Sequence, residues 1–185
     1  MIEIQQIRSK DKRLYHYMEQ LLQDSFPHNE YRDLNELLFY TDNRSNFYCN
    51  VIYYNKNLIG VLNYWEFAHF FYIEHLAITS QERNKQYGGK VLERLKQILN
   101  KPIILEVELP ENEDSTRRIN FYERHGFELW DCEYLQPPYK KGEGFLPLRL
   151  MAIGDLNKKS DFEHIKATLY SEVYNYTIPY PSKQP

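Results

Sequence analysis

The chemistry open to this chain rests on a few acidic and phenolic side chains and one short turn. Glu74 interrupts Phe71 to Ile78, an otherwise apolar run whose β-branched and aromatic members suit a strand buried on both faces. A carboxylate there is either a proton acceptor, whose pKa partial burial raises toward a useful range, or half of a structural ion pair. Glu106 and Glu108 stand two apart in the next apolar run, so they share one strand face and are rivals for the base role, or contacts for ammonium groups of a ligand. Thr79 to Gln86 then turns the first of these strands into a helix, because Val91, Leu92, Leu95, Ile98 and Leu99 recur at helical spacing. A helix N-terminus presents four N–H groups without intrahelical partners and the positive end of the macrodipole, which suits an anion. Gly88 and Gly89 let a phosphate oxygen approach the backbone, while Arg83 and Lys85 add mobile positive charge.

Other polar residues are less suited to chemistry. His75 alternates to the face opposite Glu74 and reads as a core histidine. His16, His28, His69, His125 and His164 have no metal-ligand spacing with acids or cysteines, so no metal is expected. Cys49 and Cys132 sit in strand-like segments, which favours reduced thiols in a cytosol.

The elements that must hold these residues follow from periodicity. Ile2 to Ile7 alternates as a first strand, and Leu14, Tyr17, Met18, Leu21 and Leu22 form one helical stripe that Ser25-Phe26-Pro27 ends. A short helix around Leu34 to Tyr40 follows. Phe47 to Tyr54 and Leu58 to Phe67 form a hairpin about Asn55-Lys56-Asn57, and Phe71 to Ile78 completes a meander. Ile103 to Leu109 must run parallel to that last strand, since the helix Gly88 to Leu99 supplies a right-handed crossover. A helix from Asp114 to His125 ends at Gly126, a left-handed cap, before strands over Phe127 to Tyr134 and Leu146 to Ile153. Phe162, Ile165, Leu169, Val173 and Tyr176 predict an amphipathic C-terminal helix that packs on the domain or forms a homodimer contact. Residues 1–153 are therefore read as one α/β domain and 154–185 as a C-terminal helix and tail, with Ile178 to Pro185 extended or frayed.

Composition sets the outer bounds. The 185 residues are 42% hydrophobic and 26% charged, which fits a globular protein with a substantial core. Seventeen tyrosines are the unusual feature, and such side chains suit pockets as well as cores. A net charge of −3 lacks the electrostatic footprint of a general nucleic-acid binder. No signal-peptide pattern and no run of 18 apolar residues appears, so neither secretion nor a membrane span is expected, and a cytoplasmic location follows.

Two motifs in order resemble a known family. Arg83-Asn84-Lys85-Gln86-Tyr87-Gly88-Gly89 is similar to the pyrophosphate loop of the GNAT N-acetyltransferase superfamily, in which Gln or Arg is followed after two residues by Gly, any residue, then Gly or Ala. Arg83 and Gly88 match, and Gln86 stands where the first glycine is usual. Downstream, Arg118 to Phe127 resembles the family's helix that carries Phe-Tyr and ends in Gly-Phe. The resemblance implies a mixed, centrally splayed β-sheet flanked by helices, here with an extra C-terminal helix. It also implies an enzyme that moves acetyl from acetyl-CoA to a primary amine in a ternary complex, without a covalent enzyme intermediate.

Residue roles follow from the same resemblance. Backbone groups of Leu76, Ala77 and Ile78 hold the pantetheine arm like an added strand, and residues 83–90, among them Tyr87 and Lys90, take the pyrophosphate. Ser115 falls where many relatives use an asparagine to hold pantetheine. Glu30, Tyr31, Glu106, Glu108 and Tyr139 are candidates for the acceptor side. An amine of pKa near ~10.4 costs roughly 4.6 kcal/mol to deprotonate at neutral pH, so a base is needed, and Glu74 matches a strand carboxylate that serves in several relatives. Tyr122 matches the tyrosine beside the CoA sulfur, where it donates to the departing thiolate; its alternative is a core aromatic. Gln86 is expected to replace a glycine needed for close approach rather than for positive φ. The competing reading is a non-catalytic acyl-CoA-binding or regulatory module of the same fold, against which the coexistence of Glu74 and Tyr122 argues.

Overall fold

The computed structural model describes residues 1–177. In chain order its elements are β1 (Ile2–Gln6), α1 (Lys12–Ser25), α2 (Leu34–Asn43), β2 (Phe47–Tyr54), β3 (Asn57–Glu66), β4 (Phe71–Ile78) and α3 (Tyr87–Ile98). They continue with β5 (Ile103–Glu108), α4 (Glu113–Arg124), β6 (Glu128–Leu129), β7 (Tyr134–Gln136), β8 (Leu146–Ile153) and α5 (Lys158–Thr168), which runs into a π-helical turn over Leu169–Val173. The expected extended tail, Ile178 to Pro185, lies outside the described residues.

One sheet carries the fold, ordered β1-β2-β3-β4-β5-β8-β6, with β7 also on β8. The β2–β3 hairpin turns on Asn55 and Lys56 at φ 48° and 70°, the left-handed pair that a two-residue connection needs to match strand twist. Only β4 and β5 pair in parallel, as the crossover through α3 requires. Their ladder is short: Phe71, Tyr72 and Ile73 face Ile103, Ile104 and Leu105, and beyond these pairs the strands diverge. The wedge they leave is the place where a ligand can enter the middle of a sheet.

Each face of the sheet is covered by its own helices. Tyr15, Met18 and Leu22 of α1, Leu37 and Tyr40 of α2, and Phe162 and Ile165 of α5 share a core with Trp65, Tyr72 and Leu150. Val91, Leu92 and Leu95 of α3 and Ile119 of α4 cover the other face, with Ile73, Leu105 and Met151. The C-terminal stripe is thus covered within the chain, because Leu169 and Val173 join the first core. One expected strand is broken. Four residues lie between Leu129 and Tyr134 while two lie between their partners Met151 and Leu148, so residues 130–133 bulge out between β6 and β7 and bury Trp130.

Candidate active site

A bulge in β4 sets the first part of the site. Asn63 pairs with His75 and Tyr64 with Ile73, so Glu74 is the extra residue. An extra residue breaks the alternation of the strand. Ile73 and Leu76 pack with the α3/α4 core, yet both Glu74 and His75 lie on the opposite side, Glu74 beside Arg32 and Trp65 and His75 beside Phe26. The expectation that His75 opposes Glu74 is therefore overturned. His75 is buried, its Nε2 meets the Glu30 carbonyl at 2.9 Å, and burial lowers its pKa, so the ring is neutral with Nε2–H donating.

The Glu74 carboxylate is already paired. Arg32 meets it at 2.5 Å with both side chains sealed from solvent, and Trp65 Nε1 donates to its other oxygen at 2.7 Å. Burial pushes the carboxyl up, but the Arg32 charge and these hydrogen bonds outweigh it and hold the pKa below the usual carboxylate range. This reverses the rise expected from burial alone. Arg32, 1% exposed, is itself boxed by the rings of Tyr40, Trp65 and Tyr139 at 4.6 to 5.6 Å.

The wedge between β4 and β5 opens into a pocket of about 280 Å³ lined by Glu30, Glu74, Leu76, Ala77, Ile78, Glu106, Glu108, Tyr122 and Tyr139 among others. Two carboxylates here have a raised proton affinity, Glu106 and Glu30. Burial lifts Glu106 to about 7 against the hydrogen bonds of Tyr134 and Tyr174. Tyr134 donates to one of its oxygens and Tyr174 donates to the other at 2.7 Å. Glu30 is raised by burial and then by Glu108, whose own partner is Arg118 at 2.6 Å. Tyr122 is raised by burial, with Arg118 opposing.

A larger groove of about 1370 Å³ runs along α3 and α4. It includes Arg83, Gln86, Tyr87, Gly88, Gly89 and Lys90, with Arg94, Arg117, Arg118 and Arg124 further along. No side chain caps α3 and no acidic residue sits in its first turn, so its leading N–H groups stay open for phosphate oxygens. These are the features a pyrophosphate requires. Gln86 stands at φ 61°, ψ 18°, so the usual glycine serves a left-handed backbone, contrary to the expectation of close approach alone. The two glycines have a further reason as well. A Cβ on Gly88 would lie 3.2 Å from Phe121 Cζ, and one on Gly89 2.4 Å from His125 Nε2, so both allow α3 to lie against α4.

Three expected contacts lie elsewhere. Lys85 is not among the residues lining the groove and pairs at 3.0 Å with Glu82, which is. Ser115 is buried in the cap of α4, accepting from the Asn112 N–H and donating to the Asn112 carbonyl, so its hydroxyl is committed to starting the helix. Tyr31 is buried in the core, with Lys140 Nζ 4.1 Å from its ring. Conversely, Arg32, Tyr134, Gln136 and Tyr174 were not singled out from the sequence. No local pattern marks them, although the surplus of tyrosine was a signal without an address. Among the described residues no group of His, Cys, Asp or Glu is arranged to hold a metal, and no helix is long and apolar enough to cross a membrane.

The two hollows share Ile78, Arg83 and Arg118, so one opens into the other where the sheet splits. Comparison with known proteins agrees with this geometry. A model of the acetyltransferase (GNAT) family matches residues 13–127. A solved structure from Bacteroides thetaiotaomicron, assigned to the same family, is 46% identical with a TM-score of 0.93, covering 95% of this chain and 99% of that one. YjbC of Bacillus subtilis (strain 168) is 40% identical over 70 residues, which span 36% of this chain and 35% of that protein. An aminoglycoside 6'-N-acetyltransferase solved with coenzyme A shares the fold, with a TM-score of 0.58 at 16% identity over 84% of this chain and 99% of that one.

Proposed function

The chain belongs to the acetyltransferase (GNAT) family, and from that premise we propose that it transfers acetyl from acetyl-CoA to a primary amine by direct attack in a ternary complex. The observation that carries this reading is the junction of an open, cationic helix N-terminus with a pocket that holds Glu106 and Tyr122. The open N–H groups of α3, with Arg83 and Lys90, hold the pyrophosphate. Leu76, Ala77 and Ile78 lie on the diverging half of β4, unpaired with β5, and bind the pantetheine arm through their backbone. Acetyl-CoA supplies the activated thioester.

Glu106, rather than Glu74, is the general base in this reading. Its pKa of about 7 puts it near the operating pH, where a base is most effective. Glu74 keeps its charge for Arg32 and shapes the wall of the pocket. Tyr122 faces the developing thiolate. A phenol near ~10 is already uphill of a thiol near ~8.5 by roughly 2 kcal/mol, and burial raises Tyr122 further, so it stabilises sulfur by donating a hydrogen bond rather than by surrendering its proton. Glu30 and Glu108 give the pocket mouth the negative charge that draws an ammonium acceptor.

A thermal-shift titration with acetyl-CoA followed by thiol-release assays over a panel of amines tests the proposal. Binding should be saturable, and Glu106→Gln should lower kcat/KM on an accepted amine by about a hundredfold or more. Tight acetyl-CoA binding without turnover of any amine would favour the non-catalytic module instead.

A further inference from the structure

Glu106 is held by hydroxyls from two distant parts of the chain. Tyr134 donates to it from β7, and Tyr174, which follows the π-helical turn after α5, donates to its other oxygen. Tyr174 lies well beyond the stretch that matches the family model. Its placement is fixed at several points. The Tyr174 N–H closes the turn on the Leu169 carbonyl at 3.2 Å, the five-residue spacing of a π bulge, and such bulges are frequent at functional sites. Arg32 donates to the Val173 carbonyl at 3.3 Å and Tyr170 donates to the Leu135 carbonyl. The Tyr174 ring lies 4.9 Å from that of Tyr139.

Donor counting gives the hydroxyl a direction. A phenol has one proton and two lone pairs. Gln136 Nε2, which can only donate, reaches the Tyr174 oxygen at 3.0 Å, and the Tyr72 hydroxyl reaches it at 3.0 Å. With those two lone pairs taken, the single Tyr174 proton is directed at Glu106 Oε2. We propose that Tyr174 is a positioning residue whose hydroxyl, delivered by the π-helical turn, aims the Glu106 carboxylate into the acceptor pocket and so makes the C-terminal segment part of the active site. This inference rests on the reading of Glu106 as the general base.

The test measures Glu106 directly. The titratable groups that face it are Tyr72 and Glu74 of β4, Tyr134 of β7, Tyr139, Tyr170 and Tyr174. In protein carrying ¹³C-labelled glutamate side chains, the Glu106 carboxyl signal is the one that disappears in Glu106→Gln. In Tyr174→Phe a donor to the charged form is lost, so its titration midpoint should move up by about one pH unit. The kcat/KM at pH 7 should fall by about fivefold and recover as the pH rises, with acetyl-CoA affinity unchanged. Tyr170→Phe, which loosens the same segment without touching Glu106, should leave the midpoint in place. An unmoved Glu106 titration in Tyr174→Phe overturns the inference, as does an equal shift in Tyr170→Phe. Full turnover by Glu106→Gln would instead overturn the assignment of the base, whatever the titration shows.

Discussion

Arg32 and Glu74 form a salt bridge at 2.5 Å in which each side chain is no more than 2% exposed, and the pair joins the segment before α2, the bulge of β4 and the segment after α5. A buried pair is costly to break because the survivor keeps an uncompensated charge. Arg32→Met should therefore destabilise the fold by about 3–5 kcal/mol in urea titrations at pH 7, and adding Glu74→Gln should recover part of it. The sign with pH follows from the depressed carboxyl. Stability from the pair is present above the unfolded pKa of about 4.3 and is lost as the pH falls through the lower folded value, so Arg32→Met should lack that acid-side loss. A single-variant cost below about 1 kcal/mol would match a solvated pair and contradict the burial described above.

Gln86 tests the backbone of the phosphate-binding turn. A non-glycine residue in the left-handed region costs roughly 1–2 kcal/mol, while glycine returns about 0.5–1 through unfolded-chain entropy. Gln86→Gly should leave stability within about 1 kcal/mol of the parent, whereas Gln86→Val should lose about 1–2 kcal/mol, since β-branched residues tolerate positive φ poorly. Equal stability of the two variants would mean that the turn relaxes out of this conformation. Acetyl-CoA affinity in Gln86→Gly should change by no more than roughly 1 kcal/mol, the scale of one net hydrogen bond.

Gly89 and His125 should behave as a coupled pair. The His125 ring is pinned, its Nδ1 2.8 Å from the Phe121 carbonyl and its ring 4.6 Å from that of Phe121, so it cannot easily retreat from a new Cβ at 2.4 Å. Gly89→Ala should cost about 1–3 kcal/mol and weaken acetyl-CoA binding by pushing α4 from α3. Combining it with His125→Ala should cost less than the sum of the two single changes. Strict additivity in that cycle would show that the two residues do not meet.

Tyr122→Phe separates chemistry from packing. No hydrogen bond contributes to the titration of its hydroxyl, so the variant should melt close to the parent and bind acetyl-CoA with little change. Turnover should fall by about tenfold or more, because the lost donor acts chiefly as charge grows on sulfur. An unchanged kcat on an accepted amine would leave Tyr122 as a packing residue only.

Much of the frame was legible because periodicity is local. β4 and β8 are found over the residues that their patterns predict, and α3 and α4 shift by about one residue. The bulge at Glu74 is not legible from alternation alone, and the signal for an extra residue is a pair of adjacent polar residues in an apolar strand. Arg32 and Tyr174 were invisible for another reason: their partners lie 42 and 68 residues away, and no spacing rule reaches so far. The motif gave the turn of Gln86 but not its sign of φ, which comes from the backbone. Burial alone predicts a raised pKa for Glu74, whereas the structure lowers it, because which carboxylate receives an arginine is decided by the tertiary fold.

In the function proposed above, the two ligands draw on different parts of the chain. Donor recognition draws on α3, α4 and the turn before α3, all inside residues 13–127. The acceptor pocket borrows Gln136, Tyr139 and Leu148 from later in the chain, and its carboxylate leans on Tyr134 and Tyr174. Substitution in that later portion can re-specify the amine while the donor grip is left untouched, since loops and termini on a fixed scaffold vary at small structural cost. A lineage with this architecture can thus exchange one customer without dismissing the other.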